Sequence, residues 1–454
     1  MCPPDEDKPE VLDRLKALHL AGKEPDALRA MLKSMHASEI AALILDCRDE
    51  DDRHLLLSHV PEELAGEVLL ELPENLQEEL LAELHPERIG TVLEHLDSDD
   101  AADLLQSVDD KVAKEVIQEL DPEDRRGLEP LLAHDEESAG GLMQAELFKV
   151  RAGWSIERVL TTLRRWGRQI EKVYNVYVVD DEDVLVGVVP LYELLFADPA
   201  MGISELVDRE FPRVHVGEDQ EAVARMFEKY DALAIPVVDD HDRLIGRITA
   251  DDILDVVQEE ATEDMYRLAR LHDEDDLAVP VGITAWRRGI WLFVNLLTAV
   301  LASWVISQFE VTIAKIVALA VLMPIVASMG GIAGTQTLTV IVRSIALGRV
   351  TLANASRALI KEVSVSLLTG MSFALIIGAF AAWWFPQLGM SLGLIIGAAM
   401  LINLCAAGLS GALIPITLQR LNIDPALASG TILTTVTDVV GFFSFLGLAT
   451  IFLL

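Results

Sequence analysis

From residue 285 onward polar positions thin out, and five stretches of roughly 20 or more mostly apolar residues follow: about 289–308, 312–341, 359–385, 390–419 and 426–454. Each is long enough to cross a hydrocarbon core as a helix. The second and fourth run long and contain Pro324 and Pro415 plus several glycines. They are expected to be tilted and kinked, or broken into half-helices around a cavity. Upstream the period changes. From about 59 to 130 a breaker or capping residue returns every twelve positions: Val60-Pro61, Leu72-Pro73, Leu84-His85, Leu96-Asp97, Val108-Asp109 and Leu120-Asp121. Each is followed by acidic and apolar residues enough for one short helix. Such brief units cannot bury a face alone, so they should stack into a small helical superhelix. Residues 1–130 are therefore expected to form an all-α N domain.

Residues 138–260 alternate differently. One unit contains Val176-Tyr177-Val178-Val179-Asp180 and Leu185-Val186-Gly187-Val188-Val189-Pro190; the next contains Ala234-Ile235-Pro236-Val237-Val238-Asp239 and Leu244-Ile245-Gly246-Arg247-Ile248-Thr249. An apolar strand, an acidic turn, a second strand and a capped helix predict a tandem β-α-β-β-α module. It resembles a CBS pair, a regulatory module that often binds adenine nucleotides, with boundaries at 131–199 and 200–257. In the second unit Thr249 and Asp252 have the spacing that the resemblance assigns to phosphate and ribose contacts, whereas the first has Pro190 and Glu193 there. The plain alternative is that Thr249 caps a helix. That helix should run to about 271, with Ile253, Val257, Ala261, Met265 and Leu268 as its apolar stripe and Asp252, Asp255, Glu259 and Glu263 as an acidic one. It forms, with its linker, a connecting segment over 258–284.

Charge sharpens this division. The chain carries −37 overall, yet residues 285–454 hold eight Lys/Arg against four Asp/Glu, leaving −41 in residues 1–284. An acidic soluble part precedes an apolar one. Nucleic-acid binding is disfavoured, because it relies on clustered Lys and Arg. The three scattered cysteines (Cys2, Cys47, Cys405) give neither a disulfide framework nor a thiolate metal site. The start, MCPPDEDKPE, lacks the apolar run of a cleavable signal. Arg287 and Arg288 precede the first span; Arg343, Arg349, Arg357 and Lys361 lie between the second and third, and Arg420 between the fourth and fifth. These charges all fall on one side, which predicts five spans with the N-terminus inside and the C-terminus outside.

Ionisable residues within spans are costly and usually functional. Asp438 is the carboxylate placed deep in a span, with Thr434 and Thr435 one turn before it. A buried, protonated or paired Asp is the bland alternative to a cation site. Glu362 is expected near the interface, and Asp424 opens the fifth helix as a first-turn carboxylate. Asn403, Gln336 and further hydroxyls supply oxygen donors, and no His or Cys constellation accompanies them. Oxygen-only donors suit a hard, largely hydrated divalent ion such as Mg²⁺. No nucleophile–base set suggests an enzyme.

The whole order resembles the MgtE family of magnesium channels. The resemblance is carried by Glu137-Ser138-Ala139-Gly140-Gly141-Leu142-Met143, by Met323-Pro324 with Gly330-Gly331-Ile332-Ala333-Gly334-Thr335-Gln336-Thr337, and by Asp424-Pro425-Ala426, Ser429-Gly430, Thr434-Thr435 and Asp438. One departure stands out: Ile332 occupies a position where the family usually has Asn. The resemblance implies a homodimer in a cell membrane, with Asp438 of each subunit facing a pore on the two-fold axis and Gly331 lining the ion site. It implies that Mg²⁺ closes the pore by bridging cytosolic carboxylates. By position these are Asp99, Asp103, Asp219, Glu221, Asp231, Asp252, Asp255, Glu260, Glu263 and Asp264, with Asp424 holding metal at the cytosolic edge. ATP at the second CBS unit, near Pro236, Thr249 and Asp252, would tune the response. A transporter of Co²⁺ or Mn²⁺ on the same scaffold, and a membrane-anchored nucleotide sensor, are the competing readings.

Overall fold

The twelve-residue spacing of breakers and caps becomes a spacing of helix starts. The structure, a computed structural model, describes residues 25–47, 49–166, 170, 172–269, 271, 281–421 and 423–454. The expected start of the N domain (residues 1–24) and most of the expected linker (272–280) lie outside the described residues. Helices α1 (Pro25–Leu32), α2 (Ala37–Asp46) and α3 (Glu50–His59) lead into α4 (Glu62–Leu70), α5 (Glu74–Ala82), α6 (Pro86–Leu93), α7 (Ser98–Gln106), α8 (Asp110–Glu119) and α9 (Pro122–Leu131). The residues preceding α4 to α9 are Pro61, Pro73, His85, Asp97, Asp109 and Asp121, all with ψ between 136° and 157°. Proline and short polar residues favour that geometry, which ends one helix and opens the next. Asp109 adds a side-chain cap, accepting from the Lys111 amide at 2.9 Å. Alternate helices stack: α4 on α2, α6 on α4, α8 on α6, and α9 on α7. Their apolar faces bury Leu69, Leu80, Leu81, Leu93, Leu104 and Leu105 in one core.

Two three-stranded sheets follow. The first orders β1 (Lys149–Arg151), β2 (Asn175–Val179) and β3 (Leu185–Pro190); the second orders β4 (Val214–His215), β5 (Ala234–Val238) and β6 (Leu244–Thr249). In each, the first pair is parallel and the second antiparallel. Helices α10 (Ile156–Trp166) and α12 (Gln220–Tyr230) make the parallel crossovers, and α11 (Leu191–Phe196) and α13 (Ala250–Leu268) close the units. Fully buried central strands read as unbroken apolar runs, which is why β2 and β5 stood out in the sequence. The hairpin tips pair reciprocally: the Leu185 amide donates to Asp242 O and the Leu244 amide to Asp183 O, both at 3.0 Å. Along α13 the buried residues are Ile253 and Val256. Ile253 of the expected stripe is therefore inward as read, whereas Val257 and Met265 are exposed and Val256 takes the inward place beside Ile253.

The chain divides into two compact units, Met1–Gln258 and Glu259–Leu454. In the second, five helices are long and apolar enough to cross a membrane: α14 (Val281–Ser307), α16 (Ala318–Ala346), α17 (Ala355–Trp384), α18 (Gly389–Arg420), and Gly430–Leu453 within α19 (Pro425–Leu453). The second apolar stretch begins later than its composition suggests. A separate short helix, α15 (Glu310–Lys315), ends at Ile316 in non-helical geometry. Pro324 and Pro415 lie inside unbroken helices, so the expectation of half-helices gives way to continuous spans. Membrane helices tolerate proline because neighbouring groups can satisfy the backbone it frees. Helix α18 packs against α16, α17 and α19. Glycine lets the backbones touch: a Cβ on Gly378 of α17 would lie 2.8 Å from Gly393 O of α18.

Candidate functional site

Two helix N-termini converge in the first unit, each carrying its own carboxylates. Asp99 and Asp100 occupy the first turn of α7, and Asp251 and Asp252 that of α13. Negative charge there complements the helix dipole, so each pair is locally stable in its own helix. The segment 144–146 ties the two together. Ser98 Oγ donates to Glu146 Oε2 and accepts from the Ala145 amide, both at 2.8 Å. Gln144 exchanges backbone hydrogen bonds with Arg247 of β6, at 2.7 and 3.0 Å. Its side chain donates to Asp252 Oδ2 at 3.3 Å.

The result is a concentration of negative charge. Asp99 is 6% exposed, and its Oδ1 has no hydrogen-bond partner. Burial holds the Asp99 carboxyl well above the usual range, and repulsion from Asp252 and Asp100 adds to it. Asp100 is pushed up from 3.8 to about 7 by burial and then by Asp252 and Asp103. Burial also raises Asp252; hydrogen bonds from Thr249 oppose this, and repulsion from Asp251 reinforces it. For Asp251 the balance reverses. Burial pushes it up, but hydrogen bonds from Lys172, at 2.5 Å, and from Thr249 bring it below its ordinary value. A buried carboxylate oxygen without a donor calls for a proton or a cation. The donor set is oxygen only, which fits a hard divalent ion.

The remaining predicted sensor residues are distributed. Asp103 is exposed on α7. Asp219 caps α12 by accepting from the Glu221 amide at 3.0 Å, Glu221 pairs with Arg225 at 2.8 Å, and Asp231 ends α12 with φ 48°. Asp255 is exposed on α13 and Glu260 is half-buried. Glu263 and Asp264 belong to the second unit. There Arg267 pairs with Glu263 and donates to Asp424 Oδ2 at 2.7 Å. Asp264 lies 3.8 Å from Arg343. Burial raises the Asp264 carboxyl, and Asp424 raises it further against the opposing Arg343. Asp424 also caps α19, its Oδ1 accepting from the Ala426 amide at 2.8 Å.

Within the membrane helices, Asp438 is half-buried on α19. Its carboxylate makes no hydrogen bond or ion pair among the described residues. Thr434 and Thr435 hydroxyls donate to the carbonyls of Gly430 and Thr431, both at 2.8 Å. Gln336 is exposed, and a Cβ on Gly331 would meet nothing within 4 Å. Ile332, beside it, is 54% exposed. Asn403 is fully buried and donates from Nδ2 to Val326 O at 2.8 Å. Glu362 is buried, with Thr337 Oγ1 at 3.4 Å from its Oε2; the sequence had suggested an interfacial position.

Of the nucleotide candidates, Pro236 is buried in β5 and Thr249 is 1% exposed. Thr249 Oγ1 lies 2.6 Å from Asp251 Oδ1 and 2.7 Å from Asp252 Oδ2, the geometry of a helix-entry hydroxyl. Sequence reasoning missed Asp100, Gln144 and Arg267. The Asp99-Asp100 doublet at a repeat start was the available signal for the first; the other two act through partners remote in sequence. Among the described residues, the groups of three or more that bring ligand atoms within 4.8 Å of one another lie elsewhere, at Glu50-His54-Glu79 and Glu94-Asp121-Asp124. Arg53 already donates to Glu79 at 2.6 Å in the former.

Comparison with known proteins gives the same arrangement of parts. Residues 323–448 match the MgtE family model, described as a divalent cation transporter. Residues 35–137 match the MgtE intracellular N domain, and 139–199 and 203–259 match CBS domains. The magnesium transporter MgtE of Thermus thermophilus is 36% identical over 340 residues, covering 73% of this chain and 74% of that protein. That of Enterococcus faecalis is 33% identical over 331 residues, covering 73% and 72%. The crystal structure of the cytosolic domain of the Mg²⁺ channel MgtE in complex with ATP is similar, with a TM-score of 0.51 and 38% identity over 54% of this chain and 99% of that one. These relatives are transporters, not enzymes, and this multi-pass membrane protein belongs to the MgtE family of divalent cation transporters.

Proposed function

We propose that the protein conducts Mg²⁺ as a homodimer and is closed by Mg²⁺ bound to its acidic soluble part. The observation that carries the conduction reading is Asp438, a carboxylate within a membrane helix with no hydrogen bond or ion pair among the described residues. An unpaired charge there is expensive in lipid and is accounted for if it faces a wet path and meets a cation. Two such carboxylates across a two-fold axis, with Thr434 and Thr435 and the open side of Gly331, would hold a largely hydrated ion. The names of the relatives support magnesium as that ion. The exposed Tyr192, Leu195 and Phe196 on α11 support a second copy as partner, since apolar side chains clustered at a surface favour association.

The closing reading is supported by Asp99, Asp100 and Asp252, whose mutual repulsion a divalent ion would relieve. The other carried-over residues, from Asp103 to Asp264 and Asp424, would complete the sensor. ATP is proposed at the second CBS unit, with Pro236, Thr249 and Asp252 around it, supported by the ATP complex of the similar cytosolic domain. As working divisions we propose 1–130 for the helical part, 131–199 and 200–257 for the CBS units, 258–284 for the connecting segment and 285–454 for the pore. The clustered Arg of the short loops supports a cell-membrane protein with its N-terminus in the cytosol.

The test is Mg²⁺ uptake into liposomes by the full chain, with Mn²⁺, Co²⁺ and Ca²⁺ as competitors. Asp438→Asn should abolish uptake while leaving insertion unchanged; undiminished uptake would remove Asp438 from the path. A second reading, preference for another divalent ion, is favoured by Ile332, exposed beside Gly331 where the family usually carries an amide. Stronger competition by Mn²⁺ or Co²⁺ than self-competition by Mg²⁺ would select it.

A further inference from the structure

Asn403 invites a role as an ion ligand, yet its surroundings are those of a joint. It is fully buried on α18, and its Nδ2 donates to Val326 O of α16 at 2.8 Å. A carbonyl can only accept, so the amide nitrogen must face α16, and the side chain has one orientation. Its Oδ1 points away from that bond and has no partner. The same Nδ2 fills the space beside two glycines. A Cβ on Gly441 of α19 would lie 2.7 Å from it, and a Cβ on Gly330 of α16 would overlap it. Three helices therefore meet on one amide, two of them through glycine backbone.

Both glycines adjoin the ion path. Gly330 directly precedes Gly331, whose Cβ position is open, and the exposed Ile332. Gly441 follows Asp438 by three residues, less than one turn of the same helix. We propose that Asn403 is a positioning residue: by spanning Gly330 and Gly441 it fixes the offset between α16 and α19, and so sets where the Asp438 carboxylate stands relative to Gly331 and Ile332. This rests on the reading of Asp438 as the pore carboxylate. In hydrocarbon no water substitutes for a lost amide donor, so truncation removes the cross-helix bond to Val326 O and leaves the joint loose.

The arrangement makes a specific compensation possible. Gly441→Ala adds a methyl group 2.7 Å from Nδ2, too close for contact, and Asn403→Ala empties the space that the amide takes. The experiment measures Mg²⁺ uptake per inserted protein in liposomes, together with the Mg²⁺-to-Mn²⁺ uptake ratio. Variants are Asn403→Ala, Gly441→Ala, their combination, Asn403→Asp and Asp438→Asn, all in the full chain. Asn403→Ala and Gly441→Ala should each lower uptake roughly tenfold and shift the ion ratio severalfold, and their combination should recover to within about threefold of the parent, because contacting sites couple strongly. Where a single variant inserts poorly, the thermal midpoint in detergent serves: the combination must melt above Gly441→Ala.

Several results overturn the proposal. One is a combination no better than the worse single variant in both uptake and melting. Another is an ion ratio that stays constant while uptake falls, which would reduce Asn403 to packing. A third is full uptake by Asn403→Asp with the combination silent, which would make its oxygen an ion ligand. Full uptake by Asp438→Asn would instead overturn the pore reading, whereas failed rescue with Asp438→Asn silent overturns the role of Asn403 alone.

Discussion

Arg267 donates to Asp424 at 2.7 Å and pairs with Glu263 on its own helix, so two carboxylates expected to hold a metal ion already hold a guanidinium. The end of α13 also packs by Leu268 against Leu338 and Val342 of α16 and Ala426 and Leu433 of α19. The ion pair thus fastens a helix end already seated on the membrane helices α16 and α19. If closure needs that seat, the guanidinium stabilises the closed form with no ion bound.

Arg267→Gln should therefore raise uptake at low internal Mg²⁺ and move half-closure to higher Mg²⁺. The two side chains are about a third exposed, so solvent screening limits the pair to about 1 kcal/mol, or roughly a fivefold shift. Asp424→Asn keeps the cap to the Ala426 amide and loses the charge, so it should give the same shift. The double variant should add little to either single one. Liposome flux against a series of internal Mg²⁺ concentrations measures all three; an additive double variant would separate the two residues.

The Asp99, Asp100 and Asp252 cluster predicts an inverse dependence on pH. Asp100 stands at about 7 in the folded unit against 3.8 ordinarily, so the folded form binds more protons than the unfolded one between those values. Stability from this group is then complete below about 4 and is lost as pH rises toward 7. Without Mg²⁺ the first unit should resist protease better at pH 5.5 than at pH 8. At pH 8, millimolar Mg²⁺ should restore the resistance by replacing the protons. Asp99→Asn should protect the metal-free protein at pH 8 and blunt the response to Mg²⁺. Digestion that ignores both pH and Mg²⁺ would dissociate the cluster from sensing.

Ile332 predicts a change of selectivity with little change of stability. At 54% exposure it buries too little surface for Ile332→Asn to unsettle α16. Because it adjoins the open side of Gly331, an amide there should shift the Mg²⁺-to-Mn²⁺ uptake ratio severalfold. Val340→Asn, at 51% exposure on the same helix, is the control and should leave the ratio unchanged. Equal effects from the two would assign the change to the helix surface in general.

What the sequence displayed was local chemistry. Pro61, Pro73, His85 and the three Asp caps announce helix starts through their own backbone preferences, so the period survives folding intact. Asp438 is conspicuous because a carboxylate in an apolar run has few reasons to be there. Pairings across the chain were invisible. Gln144 reaches Asp252 over 108 residues and Arg267 reaches Asp424 over 157, and only packing brings them together. The continuity of α16 through Pro324 was equally hidden, since whether a proline breaks a membrane helix depends on what its neighbours offer the freed carbonyl.

Glu362 shows the same limit at a single residue and yields a last prediction. Seven residues separate it from the start of α17, which in sequence suggested a wet interface. Instead it is 8% exposed, bonded to Thr337 Oγ1 at 3.4 Å and one turn from the buried Ser366. On α18 the facing residue is Gly408, where a Cβ would collide with Ser366. The small residue lets a polar pair enter the helix junction. Glu362→Gln keeps the volume and an acceptor for Thr337, and should alter the thermal midpoint by no more than a few degrees. Glu362→Lys places an unpaired cation of greater length in the same junction and should cost about 3–5 kcal/mol. Thermal melting of the full chain in detergent distinguishes them. Equal melting of the Gln and Lys variants would mean that the side chain escapes to solvent and the junction closes without it.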